Sequence, residues 1–162
     1  MKKIIKFIAA ALTVVTAAVA FAACTGTPTT FTKGEVSVTL DSFYREQENE
    51  NVYFYYQSVL GGEFCVCSKD GFDKINQEKT LAEYADAVKT ANKVETEVSE
   101  RNGYLYFTID NGNLFMITAM YKSEQAFYTM NFGCAKKDKK DKERILFSHA
   151  DSVRFSADSE NA

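Results

Sequence analysis

The side chains able to do chemistry in this chain are few. Four are cysteines and one is a histidine. Cys65-Val66-Cys67 places two thiols at i and i+2, and Cys134 stands far from them in sequence. On a strand, residues i and i+2 share a face with Cα atoms about 6.6 Å apart, at the wide edge of disulfide geometry. Such a pair plus one remote cysteine is a poor zinc set when the chain holds a single histidine. Two readings stay open: three buried free thiols acting as small core residues, or one bridge from Cys134 to Cys65 or Cys67. His149 has no Gly-x-Ser-x-Gly phrase to serve, and catalysis would also need an orienting carboxylate and a nucleophile. Its place late in an amphipathic segment fits a structural residue near a helix C-terminus.

Three further groups invite a functional reading. Tyr53, Tyr55, Tyr104 and Tyr106 alternate along two strand-like segments, so each pair is expected to share a face. They could line a glycan, small-molecule or partner-binding surface, because tyrosine offers stacking area and a hydroxyl, or they could pack under a helix. The run from Lys136 to Arg144 carries six bases and three acids. It could touch anionic headgroups or wall polymers, but its mixed signs fit a solvated loop and helix start. Asp110, Asn111 and Asn113 lack the later glutamate of a calcium loop and are explained by a hairpin turn. No metal and no cofactor is expected, and with no nucleophile–base pair or phosphate-cradling loop the chain is read as non-enzymatic.

Cys24 is the most specific of all these residues. It closes Ala20-Phe21-Ala22-Ala23-Cys24 after an apolar stretch that begins with Lys2, Lys3 and Lys6. A basic start, a hydrophobic middle and small residues at the cut are the plan of an export signal. The run looks like a bacterial lipobox, in which the cysteine thiol receives a diacylglyceryl group and the preceding peptide is removed. Two acyl chains satisfy the two-signal requirement for stable anchoring. Ordinary cleavage after Ala20 or Ala22 would instead give a secreted protein. A permanent spanning helix is disfavoured, since Phe7 to Ala23 is short, rich in alanine and threonine, and followed by no charged cluster. Residues 1–23 are therefore expected to be a signal peptide, 24–33 the lipidated cysteine with a polar linker, 34–156 a single domain and 157–162 a polar tail. A ten-residue tether reaches at most about 35 Å.

Without the leader the charge falls from −3 to −6, because the leader holds three of the 19 bases and none of the 22 acids. An acidic domain of this size, 139 residues after removal of 23 from 162, suits one core and does not point to nucleic acid. The elements that would position the candidates follow from periodicity. Glu35 to Leu40 alternates as a strand, Arg45 to Asn51 reads as a loop, and Val52 to Tyr56 and Glu63 to Ser68 read as strands separated by Gly61-Gly62. Lys69-Asp70-Gly71 is expected to break the second of these. Thr80-Leu81-Ala82-Glu83 is a capping box, with Leu81, Tyr84, Ala85 and Val88 forming one apolar stripe. A meander follows: Val94 to Glu100, an Asn102-Gly103 turn, Tyr104 to Asp110, an Asn111-Gly112 turn, Leu114 to Tyr121 and Ala126 to Gly133. The apolar run Leu114–Tyr121 requires cover on both faces. A second helix should end near His149, with a short strand at Val153–Phe155. The expected fold class is α+β, an α/β/α sandwich with a mostly antiparallel central sheet.

This pattern resembles the PsbP/Mog-like superfamily, and within it small lipoproteins of Gram-positive bacteria. The residues carrying the resemblance are Val36–Leu40 with Phe43, Thr80–Ala85, Tyr104-Leu105-Tyr106-Phe107, Ala126–Cys134, and Ser152-Val153-Arg154-Phe155. It implies an α/β/α sandwich and an accessory role: plant members assist photosystem II and the yeast-type member binds a small GTPase. It brings no shared active site, so no functional residue is carried over. The expected function is a lipid-anchored extracytoplasmic domain that binds or supports a partner protein, with a small-molecule or glycan-binding module as the alternative. The expected partners are the membrane, through Cys24, and a protein whose identity the residues do not specify.

Overall fold

A computed structural model describes residues 26–73 and 75–156. The expected leader, Cys24 with its lipidation, and the tail 157–162 lie outside the described residues. The elements in chain order are β1 (Pro28–Lys33), β2 (Val36–Asp41), β3 (Tyr44–Glu46), β4 (Phe54–Ser58), β5 (Phe64–Gly71), α1 (Leu81–Ala91), β6 (Ser99–Arg101), β7 (Tyr104–Asn111), β8 (Leu114–Lys122), β9 (Ala126–Ala135), α2 (Lys139–Asp151) and β10 (Arg154–Phe155). A single 3-10 turn, Lys136–Asp138, leads into α2.

Every strand pairs antiparallel. Seven form one sheet in the order β3-β4-β5-β9-β8-β7-β6, and β1-β2-β10 form a second. The helix α1 covers one face of the large sheet, packing Tyr84, Ala85 and Val88 on Phe107, Met120 and Phe127. The other face carries α2 and the small sheet together, with Leu146, Ala150, Val36, Val38 and Leu40 in one core with Phe115, Ile117, Met130 and Phe132. The α+β class and the layered, antiparallel architecture read from the sequence are those of the structure.

Burial explains why β8 and β9 are central. Phe115 through Tyr121 are all buried, and in β9 Asn131 is the sole half-buried residue between Ala126 and Cys134. Residues covered on both faces lose the alternation of a half-buried strand. The helix α1 starts where its sequence requires: Thr80 Oγ1 accepts from the Glu83 N–H at 3.2 Å, and a Glu83 carboxylate oxygen accepts from the Thr80 N–H at 2.8 Å.

Four local expectations are corrected. Residues 28–33, read as linker, form β1 and pair with β2 from Pro28↔Asp41 to Lys33↔Val36. Their threonines are β-branched and suit a strand despite their polarity, and Phe31 packs its ring on Tyr56 at 4.7 Å. Arg45 and Glu46, read as the start of a loop, join Tyr44 in an edge strand that pairs with β4. The Lys69-Asp70-Gly71 segment does not break β5, because all three residues remain paired with β9 as far as Gly71↔Ala126. The β7–β8 turn is centred on Gly112-Asn113: Asn111 pairs with Leu114, and Gly112 alone takes positive φ (53°). Asn102-Gly103, in contrast, has both residues at positive φ (47° and 84°), as a type I′ turn requires.

Candidate functional site

The four tyrosines do not form one surface. Tyr104 and Tyr106 share the α2 face of the large sheet, their rings 6.1 Å apart, with Tyr106 set edge-on against Phe147 of α2 at 5.1 Å. The Tyr104 hydroxyl donates to Asp151 at 2.9 Å. Tyr53 sits just before β4 and leaves its alternation: its ring lies 5.9 Å from that of Tyr128, and its hydroxyl donates to the Lys33 carbonyl at 3.1 Å. Tyr55 follows the pleat to the opposite face and donates to Gln57 Oε1 at 3.1 Å. The expected pairing of Tyr53 with Tyr55 on one face fails, because the bend before Phe54 rotates Tyr53 toward the α2 side.

Cys65, Cys67 and Cys134 are free, fully buried, and part of the same core. Burial pushes the Cys134 thiol up to about 11 and the other two higher still, so all three stay protonated at neutral pH. His149 donates from Nδ1 to the Thr39 carbonyl at 3.0 Å. Ser152 Oγ accepts from the Thr39 N–H at 2.9 Å. Together they satisfy the edge of β2 beyond the point where the two-residue β10 stops. His149 Nε2 is buried without a partner, and burial holds the imidazole below its ordinary pKa. Among the described residues no group of three His, Cys, Asp or Glu side chains converges to hold a metal ion.

The basic run lies at one end of the large sheet. Lys136 and Lys139 both pair with Asp110, at 2.8 and 2.9 Å, and Lys142 pairs with the buried Glu63 at 2.6 Å. The same end gathers the β4–β5 turn, the β7–β8 turn, the start of α2 and the first described residues. Thr27 N–H donates to Ser42 Oγ at 3.2 Å, Gly26 lies against the Phe43 ring, and the Phe43 carbonyl accepts from the Val59 N–H at 3.1 Å. We call this end the proximal pole. Val59 and Leu60 project from it, 62% and 45% exposed. Periodicity did not single them out: they lie between the strand read over Val52 to Tyr56 and the Gly61-Gly62 turn, and the available signal was two apolar residues next to a turn.

The opposite, distal pole carries the Ile75 loop, the Asn102-Gly103 turn and the end of α2. There Asp151 accepts two bonds from Arg101, from Nε at 2.8 Å and Nη2 at 2.7 Å, beside the Tyr104 hydroxyl. Arg101 holds the Asp151 carboxyl below the usual carboxylate range. A shallow cleft of about 310 Å3 opens beside it, lined by Tyr121, Lys122, Arg154 and Phe155 among others. The Arg101–Asp151 fork joins residues 50 apart, a separation that no spacing rule reveals.

No family model matches the chain, and no curated protein matches it in sequence. The chain is similar in structure to cyanobacterial PsbP from Synechocystis, solved in solution. The TM-score is 0.60, over 88% of this chain and 99% of that one, at 11% sequence identity. At that identity the likeness shows the fold, a PsbP-like α+β domain, and nothing of its chemistry. No helix among the described residues is long and apolar enough to cross a membrane.

Proposed function

We propose that the protein is an extracytoplasmic lipoprotein of a Gram-positive type of cell, held by a diacylglyceryl group on Cys24, whose PsbP-like domain is a non-catalytic binding or accessory factor for a partner protein at the membrane surface. The observation that carries this reading is how few residues separate Cys24 from the first described contacts. Thr27 is already hydrogen-bonded to Ser42, and β1 starts at Pro28. Three residue steps span at most about 11 Å, not the 35 Å of a ten-residue linker. A domain tied so closely works beside the bilayer. The reactive side chains also have structural tasks: the thiols fill the core, His149 caps β2, and Asp151 joins β6 to α2.

The test is cell fractionation of the native chain against Cys24→Ser, with mass analysis of the N-terminal peptide. Native protein is expected in the membrane fraction with a diacylglyceryl adduct on Cys24, and the variant in the soluble fraction or medium. Identical fractionation of the two, with an unmodified Cys24, overturns the proposal.

A further inference from the structure

The two poles differ in what they expose. At the proximal pole, Val59 and Leu60 form the tip of the β4–β5 turn, closed behind them by Ser58 N–H donating to the Glu63 carbonyl at 2.8 Å. Half-buried Phe43 links this tip to Gly26: its ring lies against Gly26 and its carbonyl accepts from the Val59 N–H, so the first described residues share this pole with the exposed apolar pair. Charge is distributed the same way. Lys136–Arg144 holds six bases and three acids, Arg45 adds one base, and Asp41, Glu63 and Asp110 add three acids. The pole and the first half of α2 thus carry seven bases against six acids. The whole chain from Cys24 onward carries 16 against 22, so its negative charge lies elsewhere. A bacterial bilayer rich in anionic lipid repels the rest of the domain and does not repel this end.

We propose that Val59 and Leu60 insert into the headgroup–acyl boundary of the bilayer that holds the Cys24 lipid, so that the domain stands on its proximal pole with Ile75 and the Arg101–Asp151 fork facing away. The inference rests on the lipid-anchor reading and gives that anchor an orientation. A diacyl chain alone leaves a domain free to tumble within its tether. A second, apolar foothold on the pole that holds Gly26 and Thr27 fixes which surface a partner meets. Burial of apolar side chains at the boundary is the general basis of interfacial attachment.

The chain contains no tryptophan, so a single introduced one is an unambiguous reporter. Leu60→Trp and Ile75→Trp are compared in the full chain, lipidated in a bacterial host and reconstituted in phosphatidylcholine–phosphatidylglycerol vesicles with brominated acyl chains. Ile75, 78% exposed at the distal pole, is the control. The tryptophan at 60 is expected to shift to the blue and lose most of its emission to the bromines, while that at 75 keeps the spectrum of a water-exposed residue. Val59→Trp should repeat the result if the substitution at 60 disturbs the turn. A chain that floats with the vesicles but is unquenched at 59 and 60 overturns the insertion and leaves the anchor intact. Equal quenching at 60 and 75 overturns the orientation. A chain that does not float overturns the anchor, and this inference with it.

Discussion

Each face of the seven-stranded sheet is covered by one helix, and the two helices are held by different means. Four residues of its own sequence start α1: the Thr80–Glu83 box closes before any tertiary contact is needed. It then rests on a small apolar cluster, with Tyr84 stacked on Phe127 at 4.3 Å and its hydroxyl bonded to Thr129 at 3.1 Å. No side chain caps the start of α2. Its position comes from bonds to distant strands: Tyr121 donates to the Ala150 carbonyl at 2.9 Å, Tyr104 to Asp151, and His149 to Thr39. The small sheet is locked into the same layer, where Tyr128 donates to Glu35 at 2.5 Å. One face is a local element laid on a sheet. The other is a layer in which a helix and the small sheet, β1 included, pack together on the large sheet.

The largest expected effect tests whether that layer is cooperative. Phe132 is fully buried beneath α2 and the small sheet. Phe132→Ala should cost about 3–5 kcal/mol, the usual range for emptying an aromatic site in a core that cannot collapse. The loss should appear as one transition in urea, with β2 and α2 amides losing exchange protection together. If α2 loosens while β2 stays protected, the layer is not one unit and the contrast between the faces fails.

This contrast also accounts for what could be read in advance. The α1 helix, the Asn102-Gly103 turn and the doubly covered β8 were legible because their causes are local: a box of four residues, a two-residue turn and an unbroken apolar run. The strand β1 was not legible, because a polar threonine run becomes a strand only when β2 offers it a partner. The same holds for Tyr53, whose face is set by a bend and by Tyr128, 75 residues further on. Among the candidate residues, Tyr104 and Tyr106 lie together as their spacing implied. Val59 and Leu60 stand out only once the turn is seen to project from the pole that holds the first described residues.

A smaller effect sharpens the other half of the comparison. Thr80→Ala removes the cap oxygen from an exposed helix start and should cost about 1 kcal/mol. Because α1 is held locally, the loss should appear as faster exchange in its first turn, with β8 and β9 amides unchanged. Exchange that rises equally across the sheet would mean that α1 belongs to the cooperative layer after all.

The smallest effect vanishes at neutral pH and appears only on acidification. His149 is neutral in the fold: burial lowers its pKa from the ordinary 6.5, and its Nε2 has no partner. The hydrogen bond from Nδ1 to the Thr39 carbonyl and the neighbouring Asp41 and Glu63 work against that shift, while Lys142 adds to it. The unfolded chain therefore takes up a proton near pH 6.5 that the folded chain refuses until lower pH. Stability should be level above that value and fall as pH drops below it, until the folded state is protonated as well. Protonation would leave a buried Nε2–H with no acceptor, which is why the fold resists it. In His149→Asn the side-chain amide can still donate to Thr39 but does not titrate. Its urea midpoint should stay flat from pH 8 to about pH 5, with decline beginning only near the ordinary aspartate pKa of about 4, where the unfolded chain takes up protons that Asp110 and Asp151 refuse in the fold because Lys136, Lys139 and Arg101 hold them below that range. If native and variant chains decline in parallel between about pH 6.5 and pH 5, the acid sensitivity of the α2 layer lies in its carboxylates and not in the residue that caps β2.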